Sequence, residues 1–507
     1  MERFSVYVLV VLLIVECFRG YGIASKPNSR LINPDQSSLL ILKSYITSDL
    51  NNMLKNNWTV ENFVCSWIGV SCDSGFNRVI ALNISDMKLV GRIPPEIGNL
   101  SFLVSLDMSG NSFSGPIPPS IFNISSLQVL ILRKNILSSS LSDYMCKHSL
   151  HRLKTLQISY NKLYGEIPLS LNQCSQLEYM SLLHNNFSGH VPRQIGNLSE
   201  LRSLFLGENS FSGVIPKEIE QLSKLQELHM SSNKLTGPLP PTIFNISSLE
   251  ELYLSDNMIN GTIHPEMFTS DHIGYIDLSI NFFEGSIPPQ IGRSIILKYL
   301  YLAENHLSGV LPSSIGNLSS LYSIILCANK LTGEIPSSIC NLTSLYSLHL
   351  SNNSLEGPIP QCLGNLTKYN LEVLHLKDNR LHGLIPSTFT EDCALKSLNL
   401  NSNQFGGMLP RTLPNCRYLM FLDIGNNKIH DKFPFWMETL DELRVLVLRS
   451  NRFHGTLSLP LKANAPFPML QVFDIARNAF AGPLPDRYLN SFRAMIDVKE
   501  KNVKEFN

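Results

Sequence analysis

Charge is scarce in this 507-residue chain. Asp, Glu, Lys and Arg together make up 16% of it, against roughly 25% in an ordinary soluble protein. The 41 acidic and 41 basic residues cancel. A nucleic-acid binder would carry a basic excess or stripe, and none is present, so no nucleic-acid partner is expected. A charge-extended disordered chain is excluded on the same ground. No stretch of about 18 consecutive apolar residues occurs, so no transmembrane helix is expected. Catalytic signatures are missing too: there is no G-x-x-x-x-G-K-[ST], no H-E-x-x-H, no G-x-S-x-G and no kinase loop. The 13 histidines are scattered without zinc-ligand spacing. No enzyme activity, metal or cofactor is expected. Ten cysteines are too few for a disulfide-dense mini-protein and too many to ignore.

What the chain does have begins with a short apolar run, Val6 to Val15. Arg3 precedes it, and the small residues Gly22 and Ala24 follow at positions suited to signal cleavage. Residues 1–24 therefore read as a secretory signal peptide, too short to span a bilayer. Export favours disulfides.

From residue 79 onward the chain repeats itself. The unit is L-x-x-L-x-x-L-x-L-x-x-N-x-L-x-G-x-I-P, as in 103–118 and 225–240. Its Asn recurs at 111, 135, 161, 185, 209, 233, 257, 281, 305, 329, 353, 379, 403, 427, 451 and 478, mostly 24 residues apart. With an earlier copy that places Met87 in the Asn slot, this makes 17 coils. The L-x-L segment alternates like a strand. The Asn amide, with two donors and an acceptor, can bond its own coil and the neighbouring one. A single coil cannot bury its leucines alone, so coils must stack. The expected fold is an α/β solenoid: an elongated superhelix of about 17 coils with a parallel β-sheet on its concave face. Domain limits follow as signal peptide 1–24, N-terminal cap 25–78, repeats 79–490 and polar tail 491–507.

The tracts IPPEIGNLS (93–101) and LPSSIGNLS (311–319) resemble the plant leucine-rich repeat of receptor ectodomains. The N-terminal segment fits the same resemblance. Residues 35–48 show helical apolar spacing at Leu39, Leu42 and Ile46, followed by Trp58 and the tract Cys65-Ser-Trp67-Ile-Gly69-Val-Ser-Cys72. The resemblance implies a helical N-terminal cap stapled by Cys65–Cys72. Its first part is similar to immune receptor kinases and its later part, from about 335, to kinase-less receptor-like proteins. It also implies a peptide, protein or oligosaccharide ligand, with co-receptor and adaptor receptor kinases as partners. The implied location is extracellular as written, or the plasma membrane if a longer form continues beyond residue 507. Such receptors continue into further repeats, a Cys-pair cap and a membrane helix. A secreted inhibitor of microbial cell-wall hydrolases and a soluble decoy from a truncated receptor stay open as alternatives.

Other cysteines fall near one coil apart: Cys340 and Cys362, Cys146 and Cys174, Cys393 and Cys416. Each pair reads either as a bond or as two buried thiols, and sequence does not fix connectivity. Cys327, beside an L-x-L segment, reads as unpaired. Sequons stand at Asn57, Asn99, Asn123, Asn186, Asn197, Asn245, Asn260, Asn317, Asn341 and Asn365, and export makes them glycosylation candidates. Asn57, Asn186 and Asn260 fall outside the repeat's N-L-S slot and read as exposed loops. Asn83 and Asn352 are sequons on or beside the sheet face.

The outward positions of the L-x-L segments hold the candidate ligand-binding residues: Tyr179, Phe205, His229, Tyr253, Tyr275, Asp277, Tyr299 and Tyr301. Exposed aromatics beside acids can anchor a partner. The competing reading is that Tyr and Phe merely suit an exposed sheet. A more polar strip follows at Asn399, Asn401, Asp423, Asn426, Arg449 and Arg477.

Overall fold

A computed structural model describes residues 34–147, 150–457, 466–483 and 492–496. The signal-peptide reading and most of the tail therefore lie outside the described residues. The chain divides into two compact units, Met1–Leu235 and Thr236–Asn507.

In the first unit the cap comes first. Helix Pro34–Ser44 buries Leu39 and Leu42 completely. It stops short of Ile46, which the apolar spacing had counted as helical. Ile46–Asp49 is instead a strand, antiparallel to Leu89–Arg92. The β-branched pair Ile46-Thr47 disfavours helix, and the open edge of the neighbouring strand offers ladder bonds in exchange. Trp58 and Trp67 stack at 5.3 Å, and Trp58 Nε1 donates to the Ile68 carbonyl at 3.0 Å. Cys65 and Cys72 are bonded. Val70–Cys72 pairs antiparallel with Val79–Asn83, and parallel strands run from there through Ser105–Asp107, Val129–Ile131, Thr155–Gln157, Tyr179–Ser181 and Ser203–Phe205 to Glu227–His229. The lengthened coil that contains residues 137–160 is closed by a Cys146–Cys174 disulfide.

The second unit repeats one coil from Glu251–Tyr253 to Val472–Asp474, each short strand parallel to the next. Cys340–Cys362 and Cys393–Cys416 are bonded here, and Cys327 is free. The coil at Asn305 shows the construction. Leu300, Leu302 and Leu307 are fully buried, each worth about 1.5–3 kcal/mol of apolar transfer. Glu304 takes a left-handed φ of 52°, turning the chain so that the Asn305 amide points inward. Its Nδ2 donates to the carbonyls of Leu302 and Ala303 in its own coil and of Leu278 in the preceding one. Its Oδ1 accepts the Phe283 N–H at 2.9 Å. Every polar atom of that buried amide is thereby bonded.

After the Asn, a second parallel sheet forms, for example Phe282–Ser286 against His306–Val310. The coil then closes through 3-10 turns such as Ser313–Asn317. Helical content on this side is slight, because five residues between the I-P step and the next Leu leave no room for an α-helix of normal length. Gly316 is required there: a Cβ would lie 2.2 Å from the Ser338 carbonyl oxygen of the next coil. Both units are thus stacked-coil solenoids of the leucine-rich-repeat kind.

Candidate ligand-recognition surface

Strand register sorts the outward side chains of each unit into two columns, one on either side of the buried central Leu or Ile. In the first unit Phe205 lies directly opposite His229, with ring centroids 6.0 Å apart. Tyr179 stands diagonally from Phe205 at 5.4 Å. Beside them, Tyr160 stacks on His184 at 4.9 Å, and His184 meets Glu208. All three predicted residues of this unit therefore share one face, half-buried.

The second unit carries the denser cluster. One column runs Tyr253, Asp277, Tyr301 in direct register, and the other Glu251, Tyr275, Tyr299. The Tyr275 ring lies 4.4 Å from Tyr253, 5.3 Å from Tyr299 and 5.5 Å, edge-on, from Tyr301. The Tyr253 hydroxyl donates to Glu251 Oε2 at 2.9 Å. Asp277 Oδ1 accepts the Ser279 N–H at 3.0 Å. Burial, and then the Asp277 carboxylate, push the Tyr275 phenol well above its ordinary pKa. Burial also raises Tyr301. These phenols stay neutral at any physiological pH.

The aromatic face extends further than the outward positions of L-x-L suggested. Tyr322 contacts Tyr299 at 5.7 Å and stacks on Tyr346 at 4.9 Å, while Lys396 pairs with Glu372 at 2.6 Å. Tracking the residue just after the first Leu of each L-x-x-L step would have found both tyrosines. Next in the column, His349 and His375 stand opposite each other with rings 4.6 Å apart. His375 Nε2 meets Ser397 Oγ at 2.7 Å. Burial lowers both imidazoles, His375 to about 4.

The polar strip beyond is largely occupied with itself. Asn401 Nδ2 donates to both Asp423 oxygens at 2.8 and 2.9 Å, Asn426 donates to Asn401, and Arg449 pairs with Asp474 at 3.2 Å.

Among the sequons, Asn99, Asn123, Asn197, Asn245, Asn317 and Asn341 end 3-10 turns and are exposed, as is Asn365. Asn186 and Asn260 are exposed but lie in strands Asn186–His190 and Met258–Thr262, not loops. The second sheet, formed by the segment after the ladder Asn, absorbs them. Asn57 is no exposed loop either. It ends the short helix Met53–Asn57, half-buried, and its side-chain oxygen accepts the Ile68 N–H.

Among the described residues no helix is long and apolar enough to cross a membrane. No group of three or more metal-capable side chains occurs among them.

Comparison with known proteins agrees with this architecture. The leucine rich repeat family profile matches residues 175–235, 296–355, 369–429 and 393–453. A further leucine rich repeat profile matches 102–124, 152–174 and 248–270, and the leucine rich repeat N-terminal domain matches 32–73. Receptor like protein 24 of Arabidopsis thaliana is 43% identical over 88 residues, which is 17% of this chain and 10% of that protein. Receptor-like protein 18 of the same plant is 34% identical over 139 residues, 27% of this chain and 16% of that one. The aligned stretches thus span only a small part of those proteins' lengths. Among solved structures, the Arabidopsis receptor kinase HAESA, in complex with the peptide hormone IDA and the co-receptor SERK1, is 31% identical. Its TM-score is 0.80, with 90% of this chain and 76% of that one covered. The plant peptide hormone receptor RGFR1, in complex with RGF2, is also 31% identical, with a TM-score of 0.73 and coverage of 81% and 68%. With repeats, N-terminal cap and stacked-coil fold all shared, the chain belongs to the plant leucine-rich-repeat receptor-like proteins.

Proposed function

We propose that this chain is the extracellular recognition region of a plant receptor-like protein, involved in immune or developmental signalling. It binds an extended peptide across the outward face of its short strands and acts with a partner receptor kinase. The carrying observation is the tyrosine–acid cluster of Tyr253, Tyr275, Asp277, Tyr299 and Tyr301, in register and half-buried on that face. Aromatic anchors that already pack on one another lose little side-chain entropy on binding. The similarity to HAESA and RGFR1, solved with peptide hormones, supports the peptide over an oligosaccharide or a protein ligand. It also supports a recognition role over an enzymatic one. Tyr179, Phe205 and His229 form the corresponding anchor set of the first unit. The exposed sequons at the 3-10 turns are the positions proposed to carry glycans.

The test is capture. The secreted protein is immobilised, exposed to size-fractionated apoplastic peptides, and the retained species are read by mass spectrometry. Tyr275→Ala with Tyr299→Ala is expected to weaken capture at least about tenfold, the loss of roughly 1.4 kcal/mol, with secretion unchanged. Equal capture by the variant would overturn the reading.

A further inference from the structure

Three features of the 253–301 cluster bear on what chemistry it accepts. First, Asp277 sits between two aromatic neighbours in the same column, Tyr253 on one strand and Tyr301 on the other. Adjacent strands are about 4.8 Å apart, a spacing comparable with the reach of a cation–π contact, about 6 Å, so a charge held at Asp277 has an aromatic residue on each adjacent strand. Second, the local charge is negative and uncompensated. Among the described residues, neither Asp277 nor Glu251 is in an ion pair, and the exposed Lys298 beside Tyr299 pairs with neither. The two carboxylates both raise the Tyr275 phenol, an independent sign of the field at that point. Third, Tyr275 is packed against Tyr253, Tyr299 and Tyr301. A sugar ring would find little open face there.

An anion would be repelled by both carboxylates. A cation gains from them and from the ring quadrupoles together. A planar guanidinium fits better than an ammonium. It can lie along a tyrosine face while donating two parallel hydrogen bonds to one carboxylate.

We propose that Asp277, flanked by Tyr253 and Tyr301, is a guanidinium subsite that seats an arginine side chain of the ligand. This rests on the peptide-recognition reading above and adds the side-chain class that the strand face selects.

The probe is N-acetyl-arginine methylamide, compared with its neutral isostere N-acetyl-citrulline methylamide. Binding is followed by NMR on protein carrying 13C-labelled tyrosine, with ring signals assigned from single Tyr→Phe variants. The arginine amide is expected to shift the Tyr253, Tyr275 and Tyr301 signals, and the citrulline amide to leave them in place. Asp277→Asn should weaken the arginine response about tenfold or more, and Asp277→Glu should restore part of it. Unchanged tyrosine spectra in the absence of probe establish that each variant is folded. An equal response to citrulline, or an undiminished response in Asp277→Asn, overturns the proposal. The two readings fail separately. A captured peptide whose affinity ignores Asp277→Asn removes the subsite and leaves peptide recognition standing. An Asp277-dependent arginine response with no captured peptide does the reverse.

Discussion

The carboxylate of Asp35, in the first turn of the cap helix, holds the guanidinium of Arg78 at the threshold of the first repeat strand. Arg78 Nε and Nη2 donate to its two oxygens at 2.9 and 2.8 Å, and the Val79 N–H adds a third bond at 2.8 Å. Asp35 is fully buried, while the Arg78 side chain is 22% exposed and lies over Phe102. The hydrogen bonds it donates to Asp35 keep the arginine above its ordinary pKa. One buried acid thus fastens the cap to the solenoid.

Removing that acid leaves a half-buried cation and an unbonded backbone N–H. Asp35→Ala is therefore expected to destabilise the cap by about 3–5 kcal/mol. Two of the chain's three tryptophans, Trp58 and Trp67, stack inside the cap, so tryptophan fluorescence during urea titration reads this region. An early cap transition in the variant is the expected result. A titration superimposable on the wild type would show that the pair holds nothing.

The ladder amide at Asn305 carries a second prediction. Asn305→Ala strips bonds from the Phe283 N–H and from the carbonyls of Leu278, Leu302 and Ala303. A buried group left unbonded costs about 1–3 kcal/mol, so the loss should reach about 3 kcal/mol. Because coils depend chiefly on their neighbours, hydrogen exchange should accelerate around residues 278–305 far more than at the ends of the second unit. A uniform acceleration along that unit would contradict the local picture.

Acid should weaken the second unit through His349 and His375. Burial lowers both, His375 to about 4 from the ordinary 6.5 of a histidine. Below 6.5 the unfolded chain takes up protons that the folded one refuses. Stability is therefore full above about 6.5 and falls as pH drops toward 4. The effect is on the order of 2 kcal/mol for His375 after allowing for its partial exposure. Their surroundings are Ser397, Phe421 and each other's rings; burial alone lowers His349, while His375 is lowered first by burial and then by the like charge His349 would carry. The check is thermal unfolding from pH 7.5 to 4.5 for wild type and for His349→Gln with His375→Gln. The variant curve should be the flatter one, and parallel curves would exclude the pair as the source.

Much of this molecule was legible before any coordinates. The 24-residue spacing of Asn and Leu specifies coils that cannot stand alone, and so specifies stacking, a parallel sheet and a ladder amide at each turn. In the cap, Leu39 and Leu42 were legible from helical spacing, whereas Trp58 and the Cys65–Cys72 staple followed from the resemblance to the plant N-terminal cap.

What sequence left undecided depends on which coil lies beside which, and on how side chains lean. Ile46 reads as helical by spacing, yet joins a strand because an edge 45 residues away, at Gly91, accepts it. Asn186 and Asn260 read as loops until the second sheet claims them. Tyr322 and Tyr346 fall three positions before the outward residue of L-x-L, yet extend the same aromatic surface, Tyr322 leaning on Tyr299 and the two stacking on one another. The sequence by itself determined the repeat and its core, because burial follows a period that can be counted along the chain. Only the tertiary structure decided that the Tyr275 ring leans on Tyr253, Tyr299 and Tyr301, and that Asp277 between two of them joins no ion pair among the described residues, because side-chain direction and pairing across strands follow no period along the chain.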